Sequence, residues 1–410
     1  MKKLFALLLS LAMVLALVAC GQKDPTPDTP DTPDDPQTKV EYKVAMITDY
    51  GDITDQSFNQ TTYEACKAFA EDNSIEFSYF KPAGDNTADR VAMIEKAVND
   101  GFNVIVMPGY AFGGAIVEAA PEFPDVKFIA LDVAAGDLLE TAVAKAGEAY
   151  DYTPENWDLN KYVDMSNVYC AVYQEELCGY MAGYAAVKLG YKNLGFLGGM
   201  AVPAVVRYGY GFVQGVDAAA ADLGLTDVKL NYIYGGQFFG DADITAVMDT
   251  WYQGGTEVVF ACGGGIYTSA VDAAKKVNAK VIGVDVDQAG VIANYAGVDG
   301  MTVTSAMKGL YPATYDTLTD VIVNGNWEKY VGKIETLGLV SGTDPEANYV
   351  QIPMGDGTQW SDSFTQDDYK AMVKDMFDGK ITVSNNTSSD VSAADFATVI
   401  TVDDQGSIKG

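Results

Sequence analysis

The chain has 410 residues, 48% of them hydrophobic and 20% charged, enough for a substantial core and too many for one ordinary compact domain, so two lobes of ~100–200 residues each are expected. Lys and Arg total 26 against 57 Asp and Glu, a formal net charge of −31, and no basic footprint exists with which to displace counterions from a nucleic acid. Histidine is absent and the five cysteines (Cys20, Cys66, Cys170, Cys178, Cys262) contain no CxxC pair, which excludes imidazole catalysis and argues against zinc sites and disulfide frameworks.

Lys2 and Lys3 open the chain, and Leu4 to Ala19 is apolar apart from Ser10. A charged start, an apolar run shorter than the ~20 residues a membrane span needs, and small residues before Cys20 read as a secretory leader over 1–19. Cys20 falls where a bacterial lipobox places the cysteine that is lipidated and becomes the mature N-terminus. The next stretch, GQKDPTPDTPDTPDDPQT, carries five of the fourteen prolines, five aspartates and no apolar side chain. It cannot offset the entropy of ordering, so 20–39 reads as the lipidated Cys and an extended tether holding the body off a membrane surface.

From Lys43 short apolar runs alternate with amphipathic segments. Strands are predicted from Lys43, Ile75, Asn103 and Val126, and a second set from Asn193, Val228, Glu257 and Ala279, at spacings of 32, 28 and 23 and then 35, 29 and 22 residues. Helical periods lie between them, as in Val91, Ile94 and Val98 or Ile244, Val247, Met248 and Trp251. This alternation predicts an α/β fold of two doubly wound, Rossmann-like lobes built alike. Crossings are expected near 167–190, at Met301 to Met307, and between Trp327 and Gln351. Lobe 1 is thus placed at 40–173 plus about 301–335 and lobe 2 at 174–300 plus about 336–410. Ser361 to Thr382 is expected to give one amphipathic helix and a short strand.

The halves also match at their functional ends. NVIVMPGYAFGGAI corresponds to EVVFACGGGIYTSA, and VKFIALD to AKVIGVD, which makes Asp132 and Asp285 equivalents just past their strands. Ligands of open α/β sheets bind outside the carboxyl ends of the strands. Tyr110, Asp132, Gly264, Gly265 and Asp285 are therefore candidates to face a cleft, while helix capping is the plainer use of each aspartate. Asp55-Gln56-Ser57-Phe58-Asn59-Gln60 precedes a helix; Asp55 or Ser57 suffices as its cap, but Phe58 at a helix mouth is placed to stack on a flat ligand, with Asp55 or Asn59 on the ligand's edge. Cys262-Gly263-Gly264-Gly265 lacks the Gly-Lys-Ser/Thr of a phosphate loop, and close approach of bare backbone to a ligand is the better use of its glycines. Asp285 to Gly290 superficially matches a calcium loop, but Ala296 stands where the bidentate Glu belongs. Lys308 is a lone cation after the strand MTVTSAM.

With Asp-x-Ser-Phe-Asn at Asp55, ELCGYMAGYAAVKLG, Gly195 to Gly199, Arg207 to Phe212 with Gly215, Gly283 to Gln288 and Thr304 to Lys308, the chain resembles the basic membrane protein family of bacterial lipoproteins, the purine-nucleoside-binding components of ABC importers. The resemblance runs from about Val44 to Lys308 and more loosely beyond. It implies a type I periplasmic-binding fold closing on a neutral nucleoside, with the purine between Phe58 and a second aromatic, Asp55 and Asn59 on the base edge, and Asp285 and Lys308 on the ribose hydroxyls. The family's second aromatic sits in Gly-Ser-Phe-x-Asp, whereas Gly236-Gln237-Phe238-Phe239-Gly240-Asp241 is one residue longer, so Phe238 is the expected partner and Phe239 the alternative. The resulting expectation is a lipid-anchored, extracytoplasmic monomer that delivers a nucleoside to an ABC permease, with no catalytic residue, metal or cofactor, and with pocket charges that roughly balance. The same fold binding a sugar, a surface sensor or adhesin, and a nucleoside-processing enzyme are the competing readings.

Overall fold

The computed structural model describes residues 41–409, so the leader, Cys20 and tether readings lie outside the described residues. From Tyr42 onward the chain forms two sheets flanked by helices. The first run comprises β1 (Lys43–Ile47), α1 (Phe58–Asn73), β2 (Glu76–Phe80), α2 (Thr87–Asn99), β3 (Val104–Pro108), α3 (Gly113–Ala119) and β4 (Lys127–Leu131). It ends with α4 (Ala135–Lys145), α5 (Leu159–Tyr162) and β5 (Val168–Tyr173). The second repeats the alternation: α6 (Glu175–Lys188), β6 (Asn193–Gly198), α7 (Pro203–Leu223), β7 (Lys229–Tyr234), α8 (Ala242–Gln253) and β8 (Val258–Cys262). Then follow α9 (Tyr267–Val277), β9 (Lys280–Asp285), α10 (Ala289–Ala296) and β10 (Thr302–Lys308). The chain returns through α11 (Leu310–Leu318) and β11 (Ile334–Leu337), and finishes with β12 (Val350–Gln351), α12 (Gln366–Phe377) and β13 (Thr401–Ser407).

The sheet orders are β11-β5-β4-β3-β1-β2 and β12-β10-β9-β8-β6-β7-β13, parallel throughout except where β12 runs against β10. Without β11 in the first sheet and β12 and β13 in the second, both read 2-1-3-4-5, the doubly wound order whose ligand crevice opens where the strand order reverses. The strands are apolar runs because helices cover both faces: every residue of VIVMP in β3 and of VVFAC in β8 is buried.

The lobe boundaries need one correction. Met301 to Met307 does not carry the chain back: β10 pairs with β9 inside the second sheet, and the return falls at Gly309. β11 then pairs with β5, which keeps the first lobe's share running to Leu337. An isolated MTVTSAM looks the same whichever sheet it joins; only its neighbour decides. The three connections lie together, Gln174 N donating to Leu337 O, Tyr349 N to Gly338 O and Gly309 N to Tyr349 O. In the tail, α12 buries Tyr369, Met372 and Met376 while Phe377 is exposed, and the strand expected before Thr382 does not form; β13 comes later and pairs with β7.

α6 and α7 meet backbone to backbone, and the glycines of their motifs are the reason. A Cβ on Gly179 or Gly183 would strike carbonyls of α7, and one on Gly211 or Gly215 would strike Glu176 or Tyr180 of α6. These glycines set the helix separation rather than touch a ligand. Gly215→Ala should lower stability by about 1–3 kcal/mol, because overpacking against backbone that cannot shift exceeds the ~1 kcal/mol gain in helix propensity. Chemical denaturation reads this directly; an unchanged midpoint would mean the helices are not in backbone contact.

Candidate functional site

Strand ends and helix starts of both lobes converge on one cavity of about 360 Å³. Asp49, Tyr50, Asp55, Phe58, Asn59, Gly109, Tyr110, Asp132 and Asp137 line it from the first lobe. The second supplies residues 202–205, Arg207, Tyr208, Phe238, Phe239, 262–265, Asp285 and Lys308.

Lys308 is its electrostatic centre. The end of β10 buries its side chain, only 6% of the residue remaining exposed. Its ammonium ion-pairs with Asp132 of the first lobe and lies 3.5 Å from Glu175 Oε1 and 3.6 Å from Asp285 Oδ1. It also sits 4.7 Å from the Phe58 ring centroid, with Tyr173 and Tyr208 at 5.4 and 5.6 Å. Burial works against its charge, but the three carboxylates outweigh that and hold the lysine protonated. Arg207 Nε donates to the far oxygen of Glu175 at 2.7 Å, so Glu175 bridges both cations. Tertiary structure thus buries a lysine that the sequence shows only as a lone cation after a strand.

Asp132, one residue past β4, and Asp285, the last residue of β9, adopt the same unusual backbone, φ of 59° and 65°, a left-handed geometry that costs about 1–3 kcal/mol for a residue with a side chain. It turns both carboxylates back over their strands towards Lys308. Asp285 Oδ2 accepts from Ser57 Oγ of the first lobe at 2.5 Å and Oδ1 from Tyr208 OH at 3.2 Å. Gln288 Nε2 donates to Gln56 O at 3.2 Å, a second bond across the cleft. Asp132 Oδ1 is buried with no hydrogen-bond partner, and burial, opposed by Lys308, holds this carboxyl above the ordinary carboxylate range.

Asp55 does serve as the cap that its spacing allowed. Its oxygens accept from the backbone N–H groups of Ser57 (2.9 Å), Asn59 (2.9 Å) and Gln60 (3.1 Å) and from Asn59 Nδ2 (3.0 Å). Asn59 spends its other amide proton on Asp49 Oδ1 at 3.1 Å, so it has no donor left for a ligand. Asp49, absent from the sequence-level candidates, accepts from Tyr50 N and Gly51 N at 2.5 and 2.6 Å while facing the cavity.

Phe238 and Phe239 both line the cavity, but Phe239 is 58% exposed whereas the Phe238 ring lies 6.4 Å from Tyr50 across the cleft. The glycines after β8 serve this ring as much as any ligand. A Cβ on Gly263, φ +151°, would come within 2.8 Å of Phe238 Cδ1, and Gly265 N donates to Phe238 O at 2.9 Å. All ten sequence-level ligand candidates, Asp55, Phe58, Asn59, Tyr110, Asp132, Phe238, Gly264, Gly265, Asp285 and Lys308, are brought to this one cavity. Reading the sequence missed Asp49, Tyr50, Asp137, Glu175 and Tyr208 as site residues, although Tyr208 lies inside the Arg207 to Phe212 run and Asp49 stands two residues past the first strand.

The expected charge balance does not hold. Asp49, Asp52, Asp55, Asp132, Asp137 and Asp285 line the cavity against Arg207 and Lys308, so an anionic guest meets a net negative wall.

An α/β architecture of two like lobes with a polar–aromatic cavity at the switch points is that of a type I periplasmic solute-binding protein. Residues 42–343 match the Bmp family, described as ABC transporter substrate-binding protein PnrA-like, and the chain belongs to that family. It is similar to the "ABC transporter nucleoside-binding protein BmpA" of Lactococcus lactis, 26% identical over 392 residues and covering 92% of this chain and 96% of that one. An uncharacterized lipoprotein of Pyrococcus abyssi is 26% identical over 320 residues, covering 74% and 69%. A solved ABC-transporter solute-binding protein from Aeropyrum pernix superposes with a TM-score of 0.59 at 19% identity, covering 83% of this chain and 87% of that one. The chain is accordingly a substrate-binding component of an ABC transporter, which takes up a small ligand, works with a permease and is not an enzyme.

Burial raises Asp137 to about 7, against the bond its Oδ2 accepts from Ala134 N at 2.7 Å, and raises Glu176 to about 7 as well. A carboxyl that binds its proton more tightly folded than unfolded takes up protons on folding. Stability should therefore decline as pH rises from about 4 to about 7, by less than ~1.4 kcal/mol per pH unit for each such group. Asp137→Asn keeps the acceptor for Ala134 N and should flatten part of that slope in urea melts at stepped pH; an unchanged slope would show that Asp137 titrates normally.

Proposed function

We propose that the protein captures a neutral purine nucleoside and delivers it to its permease. The observation that carries the reading is the meeting, in one small cavity, of an aromatic ring from each lobe with the Asp132–Lys308–Asp285 cluster. About 360 Å³ is at the small end of ligand-sized sites. The purine lies between Phe58, whose ring also meets Lys308, and Phe238. Asp285 accepts from the vicinal ribose hydroxyls while Lys308 donates to the same oxygens. At the base edge, the four acceptor sites of Asp55 are taken by its cap, whereas Asp49 is held through Oδ1 and keeps Oδ2 for an N–H group of a base. The name of the Lactococcus lactis relative supports a nucleoside rather than a sugar.

Anchoring completes the proposal: cleavage before Cys20, a lipid on its sulfur, and the proline- and aspartate-rich tether would hold a monomeric body on the outer face of the cytoplasmic membrane. The Pyrococcus relative's description as a lipoprotein supports it. A mature N-terminal peptide carrying lipid on Cys20 is the expected mass; an unmodified one would remove the anchor.

Calorimetry on ligand-stripped protein should give binding heat with adenosine, guanosine or inosine, and no heat with any nucleoside would refute the assignment. Asp285→Ala should weaken binding by at least ~100-fold, the scale of losing charge-assisted hydrogen bonds to two hydroxyls. The 5′-monophosphate of the preferred nucleoside should bind about 100-fold more weakly or worse, because the cavity wall is net negative. Equal affinity would mean that Arg207 and Lys308 dominate the field instead.

A further inference from the structure

The polypeptide beyond residue 343 lies outside the family match, yet it reaches the aromatic wall of the cavity. Asp217 of α7 fastens the approach, its Oδ1 accepting from the backbone N–H groups of Thr398 and Val399 at 2.8 Å each and of Ile400 at 3.2 Å. β13 then runs parallel to β7, register-paired from Thr401 against Lys229 to Ser407 against Tyr234. Ile408 N donates to Tyr234 O at 2.9 Å, directly before the Gly235–Gly236 turn that leads to Phe238.

Lys409 ends this path on the loop itself. Its ammonium donates to Gln237 Oε1 at 2.7 Å and ion-pairs with Asp241. Gln237 Nε2 donates in turn to Phe239 O at 2.9 Å and Asp241 Oδ2 at 3.0 Å, while Asp241 caps α8 by accepting from Ile244 N at 3.0 Å. Gly236, at φ +80°, packs so closely that a Cβ there would lie 2.7 Å from Lys409 Cβ. Elsewhere the loop is held by Gly236 N to Gly199 O, Gly265 N to Phe238 O, the Phe239–Gly265 bridge and Asp241 N to Ser269 Oγ. The segment carrying both phenylalanines is thus pinned at each flank, and one pin is the tail.

We propose that Lys409 is a positioning residue for ligand binding: through Gln237 and Asp241 it holds the Gly236–Asp241 loop at the depth where Phe238 meets the ligand. The inference rests on the reading that Phe238 stacks on a nucleoside base. Lys409 touches no ligand; it reduces the ordering cost the loop would otherwise meet on binding.

The test uses the full chain, with Lys409→Met and Lys409→Arg made in the parent and in a Phe238→Ala background. In ligand-free protein, Lys409→Met should speed amide hydrogen exchange across residues 235–241 while leaving the melting transition near the parent's. Inosine affinity in calorimetry should fall about tenfold, the size of a partly lost aromatic stack, with Lys409→Arg restoring most of it. In the Phe238→Ala background Lys409→Met should change inosine affinity by less than twofold, because the residue it positions is gone. Unchanged exchange would overturn the clamp. An equal affinity loss in both backgrounds, or none in the parent, would overturn its action through Phe238. If the unsubstituted protein binds no nucleoside, the stacking reading fails and the positioning role with it, while the exchange result still reports whether the tail holds the loop.

Discussion

One buried ammonium organises the meeting of the lobes. Removing Lys308 from water costs several kcal/mol unless its charge is answered, and three carboxylates and three aromatic faces answer it. Glu175 and Asp285 belong to its own lobe, whereas Asp132 comes from the other, so the ion pair that completes its shell spans the cleft. Ser57 and Asp285, and Gln56 and Gln288, add neutral bonds across the same seam. The two lobes are thereby joined through charge satisfaction at one atom.

The twin sheets explain how such a site arises. Each lobe runs 2-1-3-4-5, and each carries an aspartate with positive φ at the carboxyl end of its fourth strand. Facing the two copies brings the equivalent carboxylates to one cation from opposite sides. The symmetry breaks at the aromatic walls: the turn after β1 leads into Phe58 on α1, while the loop after β7 supplies Phe238 and is braced by a tail strand that has no counterpart in the first sheet. The cavity combines a shared polar centre with walls particular to each half.

The fold was legible because both lobes obey simple periodicities. Strands buried on both faces read as continuous apolar runs, and the predicted starts fall within a residue of those observed. The equivalence of Asp132 and Asp285 was visible too, as matching tripeptide ends of matching strands. Harder to see were residues whose role depends on a partner far away in sequence. Glu175 reads as a helix-start acid, yet it bridges Lys308 and Arg207; Asp55 reads as a ligand group, yet four hydrogen bonds use it as a helix cap. The glycines after β8 likewise seemed reserved for a guest, and Gly263 in fact makes room for the Phe238 ring.

By itself the amino-acid order determined the alternation of strands and helices, the doubling of the unit, the acidic surface and the family, because these depend on local spacing and composition. Tertiary structure alone decided that β10 stays in the second sheet, that Lys308 is buried rather than solvated, that the cavity wall is net negative, and that Lys409 grips the aromatic loop. Each of these rests on which distant groups share a dielectric or a hydrogen bond. No periodicity in a chain records that, since burial and pairing are properties of the assembled neighbourhood and not of the residue.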